Sequence, residues 1–199
     1  DYGMLWVQSL HYLATIEENS ALLSLTYNHV KDFLAYVSTF ENPDTGLLDL
    51  PDAHWSQTAY IDTIGYRDRR GQSTALNSLY ADTLSKAADL ADRLHDSQNA
   101  QAWRAKQNEV AAQIHTLLYL PEQGRYAAAL FNGELTAPTV HAQSWALSYG
   151  IVPGEQKESV IEALLELVGS DPDNSRTGTY GFAWVLQALG ENGKIDEAL

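Results

Sequence analysis

Between Ser73 and Leu94 the residues that favour a core recur at steps of three and four: Leu76, Leu79, Tyr80, Thr83, Leu84, Ala87, Leu90, Ala91 and Leu94. Only an α-helix with one face against a core satisfies that period. Ser73, following Gly71-Gln72, is the natural N-cap. The same pattern predicts a helix over 20–39 through Leu22, Tyr27, Val30, Phe33, Leu34 and Val37, with Ser20 as its cap. Another runs from Trp103 through Val110, Ile114 and Leu117 and is ended by Pro121, and a further one spans Val160, Ile161, Leu164, Leu165 and Val168. Helices over 4–18, 139–149 and 180–190 complete the set. The run GRYAAALFNGELTAPTV interrupts it, and Asn132-Gly133 there is a two-residue turn signal between strand-compatible residues. The expectation is an all-α chain with one short β-hairpin around 124–137.

The connections alternate in length, long at 40–72 and short at His95-Asp96, 150–155 and 190–193. Helical hairpins arranged around a ring behave this way, with loops elaborated on one face and kept short on the other. A solenoid would show a fixed period, about 34 residues for the tetratricopeptide type, and none is present. Residues 1–199 therefore read as a single segment. Asp1-Tyr2-Gly3 runs at once into the first helix, and Lys194 to Leu199 opens another helical turn, so a piece of a longer barrel is expected.

Composition narrows the function classes. A formal charge of −14, with twelve Lys and Arg in all, cannot form the basic surface a phosphate backbone needs. Nucleic acid is excluded as a partner, and neutral or cationic small molecules are favoured. A hydrophobic fraction of 45% suffices for a packed core, which argues against disorder. The absence of Cys excludes disulfides and thiolate metal sites but leaves cytoplasmic and secreted bacterial locations both open. No basic segment precedes an apolar run at the start, and no apolar run reaches the roughly 18–20 residues of a membrane span. A membrane is therefore not an expected partner.

The chemistry concentrates in DAHWSQTAYIDTIGYRDRRGQSTALN, residues 52–77. His54 and Trp55 set a titratable ring beside an apolar one, and Tyr60, Asp62, Tyr66 and Asp68 follow. Aromatic faces stack on the C–H faces of sugars while carboxylates, amides and guanidinium groups take hydroxyls, so this mixture suits carbohydrate. A loop this long inside a compact domain is usually functional. The structural alternatives are that Trp55 plugs the end of the bundle and that Asp68 with Arg67, Arg69 and Arg70 forms an ion-pair cluster, which is the reading taken for Arg70.

His141, Gln143 and Trp145 open the helix after the hairpin, where a satisfied structural role and a place facing the same cavity are equally open, whereas Trp6, Trp103 and Trp184 lie on apolar stripes and are expected in the core. The glycines of Thr177-Gly178-Thr179-Tyr180-Gly181 match no nucleotide fingerprint, because no strand precedes them. Neither HExxH nor GxSxG occurs, and the six His are scattered, so no metal, cofactor or serine nucleophile is called.

The run from TGLLDLPDAHW through IDTIGYRDRRGQSTALNSLYADTLSKAADLA resembles the catalytic domain of α-L-rhamnosidases, glycoside hydrolases of family 78. DYGMLWVQSL, VHAQSWALSYGIVPGEQ and TGTYGFAWVLQALGENG resemble other parts of that domain, so the likeness covers nearly the whole chain. The resemblance implies an (α/α)6 barrel, a six-hairpin toroid that seven helices leave incomplete. It also implies release of terminal L-rhamnose from glycosides by an inverting acid/base mechanism.

The family's general acid lies in an Arg-Asp-Glu stretch upstream of the segment that Asp1–Leu10 resembles, and its base in a Trp-Glu motif downstream of the segment ending at Leu199. Arg67-Asp68-Arg69 imitates the first with Arg in place of Glu, so the catalytic residues are left unknown. What carries over is substrate contact: His54, Trp55, Asp62, Tyr66, Asn77 and His141. Of these, Asp62 matches the Asp of an Asp-Trp pair whose Trp is here Thr63.

The partners implied are a rhamnoside and either the remainder of a longer polypeptide or further copies of the chain. Two rivals stand beside this reading: a non-catalytic carbohydrate-binding or scaffold toroid, and another (α/α)6 sugar enzyme, an epimerase or lyase using His54 or His141 as base.

Overall fold

The computed structural model describes residues 1–16, 20–50, 59–62, 70–170 and 177–197. Among these residues seven α-helices occur: α1 (Tyr2–Ile16), α2 (Ser20–Ser38), α3 (Thr74–Arg93), α4 (Ser97–Leu118), α5 (Val140–Ser148), α6 (Lys157–Gly169) and α7 (Thr179–Glu191). Three of them start on local caps. The Ser73 hydroxyl accepts from the Leu76 amide, the Asp96 carboxylate from the Asn99 amide, and the Thr139 hydroxyl from the Ala142 amide. Each satisfies an amide that the first helical turn leaves without an intrahelical partner. Helix α4 stops at Leu118, and Pro121 instead opens a short 3-10 turn.

The helices form two layers. In chain order α1 packs on α3, α3 on α5 and α5 on α7, while α2 lies on α1 and α3, α4 on α3 and α6 on α5. Odd-numbered helices thus make the inner layer and even-numbered ones the outer, the arrangement of an incomplete helical toroid. Burial follows the layering. All eight residues from Val140 to Leu147 of α5 are buried, and α3 buries Thr74 through Ala81 without a break. On α4 only Ala100, Val110, Ile114 and Leu118 are buried, the single stripe of an outer helix.

Short strands decorate the ends of the inner helices. β1 (Gln72–Ser73) pairs antiparallel with β4 (Ala129–Phe131), which pairs with β5 (Glu134–Leu135). The β4–β5 hairpin is the predicted one, with Asn132 at φ 52° and Gly133 at φ 80°, as a type I′ turn requires. The expectation of one hairpin is too small. β2 (Tyr119–Leu120) and β3 (Arg125–Tyr126) form a second hairpin, and β1 extends the first into a three-stranded sheet. Strands of two or three residues carry no readable alternation. An antiparallel bridge between Leu50 and Gly71 closes the base of the long loop.

Two side-chain amides fasten these loops to the inner helices in the same way. Asn77, one turn into α3, takes the Leu48 amide at 2.7 Å and donates to the Leu48 and Ser73 carbonyls. Gln143, one turn into α5, takes the Tyr126 amide at 2.8 Å and donates to the Tyr126 and Thr139 carbonyls. The backbone amides and carbonyls of Leu48 and Tyr126 are satisfied by these two residues.

Trp145 is fully buried in the core, the structural one of the two places left open for it. Trp103 and Trp184 pack against the core as expected. Trp6 does not follow: it is 38% exposed on α1, in line with exposed Tyr2, Leu13 and Ile16. Helix α1 is apolar on more than one face, so its period cannot say which face is covered. A contiguous apolar face of this kind promotes association. Expressed as these 199 residues, the chain is expected to sediment as oligomers and to bind a hydrophobic dye, and Trp6→Gln with Ile16→Gln should shift it toward monomer. Sedimentation of an unaltered monomeric parent would refute this.

The inner face of α3 carries Asp82, which accepts from the Gln8 side chain at 2.6 Å and pairs with Lys86 at 3.2 Å. Burial raises its pKa above the usual carboxylate range and outweighs the opposing pull of Lys86 and Gln8. The native state therefore holds this proton more tightly than the unfolded chain, and the stability it contributes at acid pH is lost as pH rises through the native pKa. Asp82→Asn should match the parent in urea midpoint near pH 3.5 and gain on it toward pH 7. Equal midpoints across that range would refute the assignment.

Candidate functional site: a buried carboxylate at the start of α7

The site is built by a sharp turn. The Asp1 carboxylate accepts from the backbone amides of Tyr60 at 3.4 Å and Ile61 at 2.9 Å, and the Asp62 amide donates to the Tyr60 carbonyl at 2.6 Å. Ile61, between them, has φ of 53°. A β-branched residue in the left-handed region costs about 1–3 kcal/mol, and such conformations persist where the surroundings dictate them. Here Ile61 is fully buried and the turn drives Asp62 inward.

Asp62 is 0% exposed and His141 1% exposed. One oxygen, Oδ2, accepts from the Gly178 amide at 2.8 Å and the Gly181 amide at 3.0 Å and lies 2.9 Å from His141 Nε2. Gly178 is the N-cap of α7 and brings no side chain of its own. The cap comes instead from Asp62, 116 residues earlier in the chain. A carboxylate here also meets the positive end of the helix dipole. Gly181 must be glycine, because a Cβ would run into both the Asp62 carboxylate and the His141 ring.

Aromatic rings flank this junction. Tyr2 lies 5.8 Å from Tyr60 and 6.2 Å from Tyr180, and Tyr180 lies 4.6 Å from Trp184, ring centre to ring centre. Burial above all, and then Tyr149, Tyr2 and Asp62, hold the Tyr180 hydroxyl well above its ordinary pKa, so it is a neutral donor at pH 7. The Trp184 ring nitrogen donates to the Tyr149 hydroxyl at 2.7 Å. Tyr149 caps the other end of α5, so the rings run from the start of α7 toward the end of α5.

Of the residues singled out by sequence, Asp62 and His141 are brought into direct contact. Asn77 is buried elsewhere, with its amide committed to Leu48 and Ser73. His54, Trp55 and Tyr66 lie outside the described residues, as do Arg67, Asp68 and Arg69. The Arg70 guanidinium sits over the Phe131 ring at 4.3 Å, a cation–π contact. Sequence reasoning missed Gly178 and Gly181. The available signal was a helix start with glycine where Ser, Thr or Asp is usual, which demands a cap from elsewhere. Among the described residues no cluster of three or more His, Asp or Glu is placed to hold a metal, and no helix is long and apolar enough to cross a membrane.

An inner and an outer layer of helices, with side chains gathered where the inner helices begin, define the class of six-hairpin helical toroids. Comparison with known proteins narrows the class. Residues 3–199 match the model of the bacterial α-L-rhamnosidase six-hairpin glycosidase domain, and the chain belongs to that family. It superposes on a rhamnosidase from Klebsiella oxytoca, solved with rhamnose bound, with a TM-score of 0.80 and 18% identity, covering 100% of this chain and 36% of that one. The family 78 rhamnosidase of Bacillus sp. GL1 gives 0.77 and 20% identity over 98% of this chain and 20% of that one. An α-L-rhamnosidase from Aspergillus terreus gives 0.66 and 16% identity over 91% and 20%. The chain thus spans between about a fifth and about a third of these proteins. No curated protein sequence matches it.

The junction sets a stability test. Asp62→Ala strands two buried amides and the His141 ring and should cost about 3 kcal/mol or more. Gly181→Ala, one methyl group, should destabilise to a similar degree by displacing the carboxylate, whereas Gly193→Ala, at a glycine with no neighbour near its Cβ position, carries only the milder penalty of its positive φ. Denaturant midpoints of the three variants check the ordering, and a Gly181→Ala protein as stable as the parent would refute the geometry.

Proposed function

We propose that the protein acts on terminal α-L-rhamnosides, hydrolysing the glycosidic bond with inversion at the anomeric carbon. The observation that carries this reading is the match of residues 3–199 to the rhamnosidase six-hairpin domain. The rhamnose bound in the Klebsiella oxytoca rhamnosidase supports the choice of sugar. In this reading the long loop brings His54, Trp55 and Tyr66 to the sugar, Trp55 as ring platform and His54 as hydrogen-bond partner. Asp62, the carboxylate expected to take a hydroxyl, acts with His141 and Asn77 to hold that loop against the starts of α3, α5 and α7.

The chemistry needs two carboxyl groups about 6.5–9.5 Å apart. One, as the acid, protonates the glycosidic oxygen while the C1–O bond breaks. The other takes a proton from the water that attacks C1 on the opposite face. We assign neither role to a residue of this chain. Asp62 Oδ2 already faces three donors, and Arg67-Asp68-Arg69 lacks the glutamate of the family's acid motif. Both groups then belong to other parts of a longer polypeptide. Burial of His141 against Asp62 speaks against its serving as the base of an epimerase or lyase.

The test is an aryl α-L-rhamnoside offered to the full natural gene product, with the first-formed sugar followed by proton NMR. β-L-Rhamnose should appear first and mutarotate to the α anomer. The α anomer appearing first would overturn inversion. Rhamnose binding without turnover would move the protein to the non-catalytic carbohydrate-binding reading.

A further inference from the structure

Away from the Asp62–His141 junction, a groove of about 480 Å³ opens between the turn at Asn42–Asp49 and the β4–β5 hairpin. Its lining is mostly polar: Asn42, Asp49, Gln72 and the Asn132-Gly133 tip, with Leu130 and Phe131 as the apolar wall. Asp49 is the one charged residue of that lining. The Asn42 and Gln72 side-chain amides both donate to Asp49 Oδ2, at 3.0 and 3.2 Å. Gln72 is fixed in turn by the Thr45 hydroxyl, and Asn42 by accepting from the Asp44 amide. The carboxylate is therefore held rigidly through one oxygen, and among the described residues no donor reaches the other.

The groove also has a defined place in the chain. Leu50, one of its lining residues, forms the bridge with Gly71 that closes the base of the long loop, and Gln72 follows directly.

We propose that this groove is a saccharide subsite, separate from the Asp62 junction, that takes the neutral sugar on the leaving-group side of a rhamnoside. Asp49 Oδ1 accepts from a ring hydroxyl, the Asn132 amide supplies a donor and an acceptor at the rim, and Leu130 and Phe131 meet the C–H face. None of the lining residues is basic and Asp49 is itself acidic, so an anion is disfavoured although the Arg70 guanidinium lies against one face of the Phe131 ring, and a single carboxylate is too few for a dedicated cation site. The choice of a sugar rests on the rhamnosidase reading above. The groove and its fixed carboxylate do not.

Calorimetric titration of the full-length protein with methyl α-L-rhamnoside and with an S-linked rhamnosyl-glucose, which resists hydrolysis, tests the proposal. The disaccharide should bind about tenfold more tightly, the increment expected of hydrogen bonds to a charged group. Asp49→Asn keeps an acceptor for Asn42 and Gln72 and replaces only the second oxygen, so it should abolish that increment and leave the monosaccharide unaffected. Asn132→Gly, which preserves the type I′ turn, should reduce it in part.

If the increment persists in both variants while rhamnoside is still bound, the subsite is refuted and the proposed function stands. If the disaccharide binds in an Asp49-dependent way without any rhamnoside binding or hydrolysis, the proposed function falls and the subsite stands. Failure of both sugars to bind overturns both.

Discussion

The start of α7 depends on a carboxylate it does not own. A helix that begins at glycine exposes amides with no local acceptor, and burial removes the water that might have served. Asp62 fills that place, and its charge is tolerable in a dry site because two amides, a helix dipole and His141 converge on it. The arrangement works in both directions. The turn that presents Asp62 holds Ile61 in a left-handed conformation, which persists because the Asp1 carboxylate binds its amide and the carboxylate beyond it is captured by α7. Segments from α1, the long loop, α5 and α7 are thereby fixed to one another, and weakening any contact loosens all four.

Asn77 and Gln143 repeat the principle at the starts of α3 and α5. Each sits one turn into an inner helix, returns a hydrogen bond to the carbonyl of its own N-cap residue, and brackets the peptide of a strand or loop that arrives from elsewhere. Leu48 and Tyr126 are consequently fastened to the inner layer. Inner helices that begin on the same face concentrate donors there, and Asp62, Asn77 and Gln143 are bound at that end.

How much of this could be read from the sequence follows from how local each determinant is. Apolar stripes, the Ser73 cap and the Asn132-Gly133 turn depend on residues within one or two turns of each other, and all were legible. Asp62 was legible as a loop carboxylate but its partners were not, since Gly178 and Gly181 look like a poor phosphate cradle until the distant anion is known. They do form an anion cradle, occupied by the chain's own side chain. Trp6 was misread because α1 is apolar on several faces, and period alone does not reveal which face another helix covers. The two-residue strands β1, β2, β3 and β5 fall below any length at which alternation carries information. The family was visible in 52–77, where Asp62 is the residue seen to fasten the loop, while His54, Trp55 and Tyr66 lie outside the described residues.

The same arrangement bears on the neutral sugar proposed as ligand. A helix N-terminus is ordinarily an invitation to an anion, yet at α7 that capacity is taken by Asp62, so it is not available to a phosphate or carboxylate from outside. The surplus of fourteen negative charges repels anions at longer range as well. The polar groups of the neighbouring rings are turned inward as well: the Tyr180 hydroxyl is buried, and the Trp184 ring nitrogen donates to Tyr149. The rhamnoside proposed above carries no charge, so its affinity should vary little with salt, because no ion pair contributes to it.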